Sequence, residues 1–225
     1  MSLILSIETT TKNCSVALFE NDYLIGFKEE KSTEHIHSEK LTLFIQEVMI
    51  NAKKKFEDLD AIAVSKGPGS FTGLRIGTSS AKGLCYALDI PLISVSTLKT
   101  MALSISKIKN YKYFCPMIDA RRMEVYASLF DQSNNVVREI RADIVNENTY
   151  SEFLDDKVLF FGDGAEKCID IINNANAHFH KGILPSAKDM GKLAIDKFYK
   201  NEFEDIAYYE PFYLKDFFTT KKVTS

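Results

Sequence analysis

A repeat within the chain constrains its fold more than any other feature of the sequence. An apolar run at residues 3–7 ends at Glu8, and a second apolar run at residues 113–118 ends at Asp119. Placing Ile7 on Ile118 without gaps brings further strand-like positions into register. The aligned pairs are Val16 with Ala127, Leu18 with Leu129, Phe19 with Phe130 and Glu20 with Asp131. A repeat of this length is no solenoid unit and predicts two related α/β halves.

Each half also contains a strand that is followed by a Gly-x-Gly turn and a helix start. Residues 61–64 precede Gly67 and Gly69 in the first half, and residues 158–161 precede Gly162 and Gly164 in the second. Short apolar runs separated by polar turns predict a three-stranded meander at the N-terminus of the first half. The second half is shorter, because residues 148–153 leave room only for a stub of helix.

The turn at residues 65–75 has the most distinctive motif, Gly-Pro-Gly-Ser-Phe-Thr-Gly-Leu-Arg, which begins at Gly67. A glycine-rich turn between a strand and a helix brings the backbone close to an anion or to a packing partner. The third glycine, Gly73, comes one residue late for a dinucleotide fingerprint, and no lysine stands where a Walker loop needs one. A tight packing turn and a phosphate cradle both remain open.

The helix predicted at Phe71–Leu88 is unusual because it contains several glycines, each of which costs about 1 kcal/mol relative to alanine. Gly73, Gly77, Ala81 and Cys85 are four residues apart and form one stripe of small residues. Such a stripe allows another backbone to approach closely. The neighbour is either a strand of the same domain or a helix of a second protein.

The preceding helix is predicted to begin near Ser32 or Thr33 and to end around the lysines at residues 53–55. Its core stripe consists of Leu41, Phe44, Ile45, Val48, Met49 and Ala52. A second apolar series, Ile36, Leu43 and Ile50, recurs every seven residues on roughly the opposite face. One stripe suffices to dock a helix on its own sheet, so the second predicts contact with a partner.

Composition excludes several classes of protein. The net charge of -3 gives no basic face for independent nucleic-acid binding. No apolar run reaches the length of a membrane span, and the N-terminus lacks a signal pattern. The four cysteines are scattered, and the histidines occur as two pairs with one residue between. These features predict a cytoplasmic protein with no membrane contact, disulfide or metal site.

The predicted boundaries place an N-terminal lobe at residues 1–108 and a smaller C-terminal lobe at residues 109–185. A final helix, predicted to begin at residues 185–189, is expected to complete the first lobe with residues 186–200. Residues 208–214 are interpreted as a last extended segment, and residues 215–225 as a mobile tail.

Two halves of this kind resemble the actin-like ATPase and sugar-kinase (ASKHA) fold, in which hairpin turns and a Gly-x-Gly loop surround ATP. A closer resemblance is to the bacterial TsaB (YeaZ) family, and it extends over nearly the whole chain. The motifs that support it are Ile7-Glu8-Thr9, His37-Ser38-Glu39-Lys40-Leu41, the segment 67–77, Val95-Ser96-Thr97-Leu98, Ile118-Asp119-Ala120-Arg121, Pro185-Ser186-Ala187 and Glu210-Pro211-Phe212-Tyr213-Leu214.

The resemblance implies a non-catalytic accessory subunit for N6-threonylcarbamoyladenosine formation in tRNAs that read codons beginning with A. Its partners would be the paralogous catalytic subunit TsaD and the ATPase TsaE, and it would meet tRNA only through the complex. TsaD has two metal-binding histidines where this sequence has Thr97 and Met101. Neither side chain replaces imidazole as a transition-metal ligand. No cofactor is expected for the chain itself, and nucleotide binding is considered only for the complex.

Two groups of candidate site residues follow, with no catalytic residue among them. The predicted partner interface, which would also form a homodimer in isolation, consists of Ile36, Leu43, Ile50, Ser70, Phe71, Gly73, Leu74, Arg75, Gly77 and Ala81. The possible vestigial nucleotide cleft consists of Glu8, Thr9, Thr10, Asp119, Arg121, Gly162 and Gly164. The two acids either cap their own turns or hold magnesium or activate water. The alternative function is an ATP-dependent small-molecule kinase or hydrolase.

Overall fold

The computed structural model describes residues 2–31 and 37–215, and within these ranges the chain forms two α/β lobes. The strands of the first lobe are β1 (Leu3–Glu8), β2 (Asn13–Glu20), β3 (Tyr23–Lys31), β4 (Ala61–Gly67) and β5 (Leu92–Ser96). They lie in the order β3-β2-β1-β4-β5. The three N-terminal strands form the predicted antiparallel meander, and β4 and β5 continue the sheet in parallel.

The second lobe repeats this topology. Its strands are β6 (Tyr113–Asp119), β7 (Glu124–Phe130), β8 (Val136–Ile144), β9 (Val158–Phe161) and β10 (Ala177–His180). The order β8-β7-β6-β9-β10 matches that of the first lobe strand for strand, and β6, β9 and β10 are parallel to one another. The prediction of a duplicated actin-like α/β fold with two mixed sheets is therefore confirmed.

The two hairpins differ in register by one residue. Ile7 pairs with Val16 in the first hairpin, but the equivalent Ala127 pairs with Met117 rather than with Ile118. The second hairpin closes more tightly, because the amide of Ala120 already donates to the carbonyl oxygen of Glu124. The gapless alignment thus finds the right strands but not the pairing between them, which the turn decides.

Helices cover both faces of the first sheet. α1 (His37–Asn51) and α2 (Phe71–Leu88) pack on the face that contains Leu5 and Ile7, and the last helix packs on the face that contains Ile4. The alternation along β1 explains this, since successive strand side chains point to opposite faces. α2 has the predicted bounds, and its N-cap residue Ser70 accepts a hydrogen bond from the amide of Gly73 at 3.3 Å.

The second sheet has a thinner cover. α3 (Thr97–Ile105) packs on one face, against Phe114, Ile118 and Phe161. On the other face, two short 3-10 turns and a row of aromatic rings replace long helices. The ring of Phe160 lies 5.3 Å from that of Tyr150 and stacks on that of Phe179 at 5.2 Å, measured between ring centroids.

Several sequence predictions differ from the structure in their details. The short edge strand β10 was not predicted. The final helix, α4 (Gly191–Tyr199), follows a separate 3-10 turn at Ala187–Asp189. Residues 208–214 form no strand. The predicted start of α1 and most of the predicted tail lie outside the described residues, although Lys215 forms an ion pair with Glu124.

All four cysteines are buried thiols. Burial raises the pKa of the Cys14 and Cys85 thiols to about 12, so both stay protonated at neutral pH and act as packing residues. Among the helices in the described part of the chain, none has the length and apolar character that a membrane span requires.

Candidate functional site

A cleft of about 400 Å³ lies where the two lobes meet. Its walls are formed by the β1–β2 turn, the β6–β7 turn, the glycine-rich turn before α2 and the last described residues of the chain. The lining residues that enter the arguments below are Thr10, Lys12, Gly69, Phe71, Asp119, Arg121, Tyr126, Asp163, Tyr213 and Lys215. The structure therefore brings together, at one cleft, turns that lie far apart in the sequence.

Glu8 is buried and held by its own lobe. One carboxylate oxygen accepts hydrogen bonds from the amide and the hydroxyl of Thr10, both at 2.6 Å, and the other accepts one from the hydroxyl of Ser65. Burial raises the pKa of Glu8, and these donors oppose the shift. Glu8 does not line the cleft. Two roles were considered from sequence: capping its own turn, and holding magnesium or activating water. The geometry of Glu8 fits the first of these.

Asp119 and Arg121 line the cleft on the side of the second lobe. A carboxylate oxygen of Asp119 accepts a hydrogen bond from the amide of Arg121 at 3.0 Å and forms an ion pair with Lys167. The amide of Asp119 donates to Asp163, whose pKa is raised by burial. Two carboxylates therefore occupy one wall, and a lysine already compensates one of them.

The predicted cleft residues Gly162 and Gly164 do not line the cleft. Gly162 has a φ of +104°, which favours glycine, and a side chain there would overlap the carbonyl oxygen of Met117. A Cβ on Gly164 would lie 2.8 Å from the carbonyl carbon of Ile118. Both glycines allow this loop to pack directly on β6.

The glycine-rich turn before α2 is a packing turn in this structure. A Cβ on Gly69 would overlap the backbone of Thr10, and the amide of Ser70 donates to the carbonyl oxygen of Thr10 at 2.7 Å. Gly67 has a φ of +105°, and a Cβ there would lie 2.9 Å from the carbonyl oxygen of Phe212. The turn thus clamps the first hairpin on one side and the C-terminal segment on the other.

The small-residue stripe of α2 faces its own lobe, which corrects part of the predicted interface. Gly73, Leu74, Gly77 and Ala81 are all buried. The hydroxyl of Thr9 donates to the carbonyl oxygen of Gly73 at 2.7 Å, and a Cβ on either Gly73 or Gly77 would overlap Thr9. Of the two neighbours considered from sequence, a backbone of the same lobe occupies this groove. These four residues belong to no exposed patch.

A different face of α2 is exposed, next to the exposed face of α1. Leu43 and Ile50 on α1 are 54% and 72% exposed, and Tyr86 on α2 is 84% exposed. Gly83, one turn before Tyr86, has nothing within 4 Å of a Cβ built on it. The α1–α2 surface, as it is called below, comprises Leu43, Ile50, Arg75, Ser79, Gly83 and Tyr86, which are all exposed. Ser70 and Phe71 lie half-buried at its cleft end, and Ile36 lies outside the described residues.

The start of α3 packs between the two lobes. Thr97 and Met101 are buried, and the methyl group of Met101 lies 3.0 Å from a Cβ built on Gly162 of the second lobe. The Thr97 hydroxyl has no hydrogen-bond partner among the described residues. No group of three or more potential metal ligands occurs in residues 2–31 and 37–215. The two positions thus contribute to packing between the lobes.

Sequence reasoning missed several residues of the cleft. Lys12, Tyr126 and Asp163 line it without belonging to an obvious motif, although Asp163 stands between the two glycines of the second turn. The C-terminal segment also lines it, and the ring of Tyr213 lies 4.9 Å from that of Phe71. The motif at residues 210–214 was a signal for this role, because a segment with such a motif is rarely a passive tail.

Comparison with known proteins identifies the family of this chain. The tRNA threonylcarbamoyladenosine biosynthesis protein TsaB of Escherichia coli (strain K12) is 30% identical over 229 residues, which cover 98% of this chain and 97% of that protein. The chain belongs to the TsaB (YeaZ) family. TsaB of Haemophilus influenzae is also 30% identical and covers 98% of the chain. The structure of YeaZ from Pseudomonas aeruginosa matches with a TM-score of 0.84 at 25% identity, over 95% of this chain and all of that one.

The TsaB family is related to the transferase itself. The family model described as TsaD, tRNA N6-adenosine threonylcarbamoyltransferase, matches residues 29–217. A tRNA N6-adenosine threonylcarbamoyltransferase of Staphylococcus epidermidis is 38% identical over 109 residues, which cover 41% of this chain and 32% of that protein. TsaB-family proteins are named for threonylcarbamoyladenosine biosynthesis, which places this chain in a family of that pathway.

Proposed function

We propose that this TsaB-family chain is a non-catalytic subunit that binds a TsaD-type threonylcarbamoyltransferase and supports it, together with the ATPase TsaE, in forming N6-threonylcarbamoyladenosine in tRNA. The observation that carries the proposal is the α1–α2 surface. It presents Leu43, Ile50 and Tyr86 to solvent from two adjacent helices. Single exposed apolar side chains are common, but an ordered group of them on paired helices is typical of an interface.

The shape of the α1–α2 surface fits a helical partner. Ser79 and Gly83 are small, exposed and one turn apart on α2, so the helix backbone is accessible between the larger side chains. A partner helix can approach closely at such positions and bury Leu43 and Ile50 along its sides. The match of the TsaD family model to most of the chain supports a partner with an equivalent helix pair. Two such pairs would pack around a pseudo-twofold axis.

The same surface explains the expected homodimer. An isologous contact requires only that a patch be complementary to itself. In the absence of the transferase, the α1–α2 surfaces of two copies of this chain would pair, and the transferase would then displace one copy. A weak homodimer and a tighter heterodimer are thus alternative uses of one surface.

Features of the cleft and of α3 support the absence of catalysis. Thr97 and Met101 occupy buried packing positions, and Glu8 is engaged by hydrogen bonds within its own lobe. We therefore expect neither threonylcarbamoyl transfer nor appreciable ATP turnover by the isolated chain.

Leu43→Glu tests the proposal. We expect it to weaken binding to a TsaD-type enzyme by about 100-fold, or about 2.7 kcal/mol, because a charge would be buried at the centre of the contact. It should also make the isolated chain monomeric, with a melting temperature close to that of the wild type. Leu24→Glu is the matched control, since Leu24 is 45% exposed on β3 and lies outside the α1–α2 surface. Binding would be measured by calorimetry and assembly by light scattering.

Each other outcome has a definite meaning. If Leu43→Glu unfolds the chain, Leu43 belongs to the core. If both assemblies survive the substitution, the interface lies elsewhere and the proposal loses its main support. Robust ATP turnover by the isolated chain that Asp119→Ala abolishes would instead favour a kinase or hydrolase, because Asp119 lines the cleft.

A further inference from the structure

The tip of the β6–β7 hairpin has an unfavourable backbone conformation for its residues. Arg121 has a φ of +70° and Arg122 a φ of +47°, so two consecutive residues with side chains lie in the left-handed region. Turns of this type normally contain asparagine and glycine. The turn is braced from outside, since Asp119 accepts from the amide of Arg121 and Lys167 donates to the carbonyl oxygen of Arg122 at 2.7 Å. Backbone strain that surrounding contacts hold in place is typical of functional sites.

Both side chains of this turn are exposed and carry uncompensated charge. Neither guanidinium group forms a hydrogen bond or an ion pair within the described part of the chain, and the same holds for the exposed ammonium group of Lys12 on the opposite hairpin turn. By contrast, Lys167 and Lys215 nearby are paired with Asp119 and Glu124. The cationic rim is defined as Lys12, Arg121 and Arg122. Lys12 and Arg121 line the cleft from the two lobes, and Arg122 follows Arg121 in the exposed turn, in a chain whose net charge is -3.

Aromatic side chains lie beside these cations. The rings of Phe71 and Tyr213 are in contact at the cleft, and Tyr126 also lines it. The guanidinium group of Arg75 lies over the Phe71 ring at 4.1 Å. Cations interleaved with aromatic rings are the combination that binds RNA, in which phosphates need charge and unpaired bases need surfaces for stacking.

The position of the charges distinguishes an RNA strand from a single nucleotide. The carboxylates of Asp119 and Asp163 line the cleft together with Lys12, Arg121 and the C-terminal segment. A triphosphate that entered the cleft would meet these carboxylates. A backbone that passed over the mouth would place its phosphates on the exposed rim, where Lys167 already compensates the carboxylate of Asp119.

We propose that the cationic rim contacts the phosphate backbone of the substrate tRNA when the chain is assembled with its transferase. The proposal rests on the proposed function, because the chain alone has too little positive charge to hold RNA at physiological salt. It assigns to this subunit a direct part in positioning the substrate.

The double substitution Arg121→Asn with Arg122→Gly tests the proposal, because strain and charge predict opposite effects. Asparagine and glycine suit the left-handed turn, so we expect the chain to melt at a higher temperature than the wild type. We expect the affinity of the assembled complex for tRNA to fall about tenfold near 0.1 M salt, and the dependence of log affinity on log salt to weaken by about 2, or about 1 per lost contact. Lys192→Gln with Lys200→Gln is the control, because it removes two exposed charges elsewhere. It should leave both the tRNA affinity and its salt dependence unchanged.

The assembly is monitored separately from RNA binding, so the two proposals fail in different ways. If the variant forms the complex and binds tRNA with unchanged affinity and salt dependence, the rim makes no phosphate contact and the inference is wrong. If the wild-type chain forms no complex, the proposed function fails. Photo-crosslinking of tRNA to the isolated chain at low salt then tests whether the rim contacts RNA. Crosslinks to residues 120–123 that the double variant loses would support the contact, and the absence of such crosslinks would refute it. If the double substitution instead lowered the affinity for ATP and left the affinity for tRNA unchanged, the inference would be overturned in favour of a nucleotide site.

Discussion

The two lobes have the same strand order but are stabilised differently. The first sheet lies between α1 and α2 on one face and α4 on the other. Within residues 2–31 and 37–215, the second sheet is covered by α3 on one face and by 3-10 turns and aromatic rings on the other. A long helix that packs on a sheet leaves a continuous outer face exposed to solvent, whereas short turns offer no comparable continuous face. Duplication of a sheet therefore does not duplicate its surface. The proposed docking face belongs to the first lobe, because among the described elements the adjacent long helices α1 and α2 both pack there.

The interiors of the lobes differ as well. In the first lobe, Gly73 and Gly77 of α2 meet Thr9 so closely that no side chain fits between them. In the second, a buried ion pair joins Arg138 and Asp143, and the hydroxyl of Tyr150 donates to Asp143 at 2.8 Å. The first lobe thus depends on close backbone approach and the second on a buried polar cluster, so different substitutions should destabilise them.

The largest effect is expected at Gly73. Gly73→Leu should destabilise the protein by about 5 kcal/mol or more, since the new side chain would overlap backbone atoms of Thr9 that cannot move without displacing β1. Gly83→Leu on the exposed face of the same helix should leave stability unchanged or slightly raised. Urea denaturation of both variants measures the difference. Equal stabilities would contradict the close packing of α2 on the first hairpin.

A somewhat smaller loss is expected in the second lobe. Asp143→Ala should cost about 3–5 kcal/mol, because it leaves the buried Arg138 guanidinium without its partner. The ion pair between Lys28 and Glu47 in the first lobe is the control, as both side chains are more than 40% exposed. Glu47→Ala should cost less than about 1 kcal/mol. If the two losses in chemical denaturation were similar, the buried cluster would not be a main support of the second lobe.

The smallest effect depends on pH and concerns the cover of the first lobe. Burial raises the pKa of Asp189, next to α4, from 3.8 to about 6. The protonated carboxyl is favoured by folding, so the stability that it contributes is present below about pH 4 and is lost as pH rises towards 6. Asp189→Asn should therefore be more stable than the wild type by on the order of 1–2 kcal/mol at pH 7. The gain should disappear near pH 4 in thermal melts; a gain that is independent of pH would show that ionisation is not its cause.

The local pattern of the chain was sufficient to predict much of this protein. The repeat of an apolar run with a terminal acid predicted the two sheets, and the bounds predicted for α2 match those in the structure. Two of the three residues in the second stripe of α1, Leu43 and Ile50, are exposed as expected. These features depend on neighbours within a turn or a strand, where spacing determines geometry. The family motifs rest on the same local information.

Tertiary structure alone decided which surfaces those elements use. The small-residue stripe of α2 has the same sequence signature whether it meets its own lobe or a second protein, and only the fold brings Thr9 into that groove. Likewise, Lys12 and Arg121 become parts of one cleft because two hairpins that are distant in sequence meet where the lobes join. Periodicity specifies which side of an element is apolar or small. What lies against that side depends on contacts between distant residues, which no local spacing encodes.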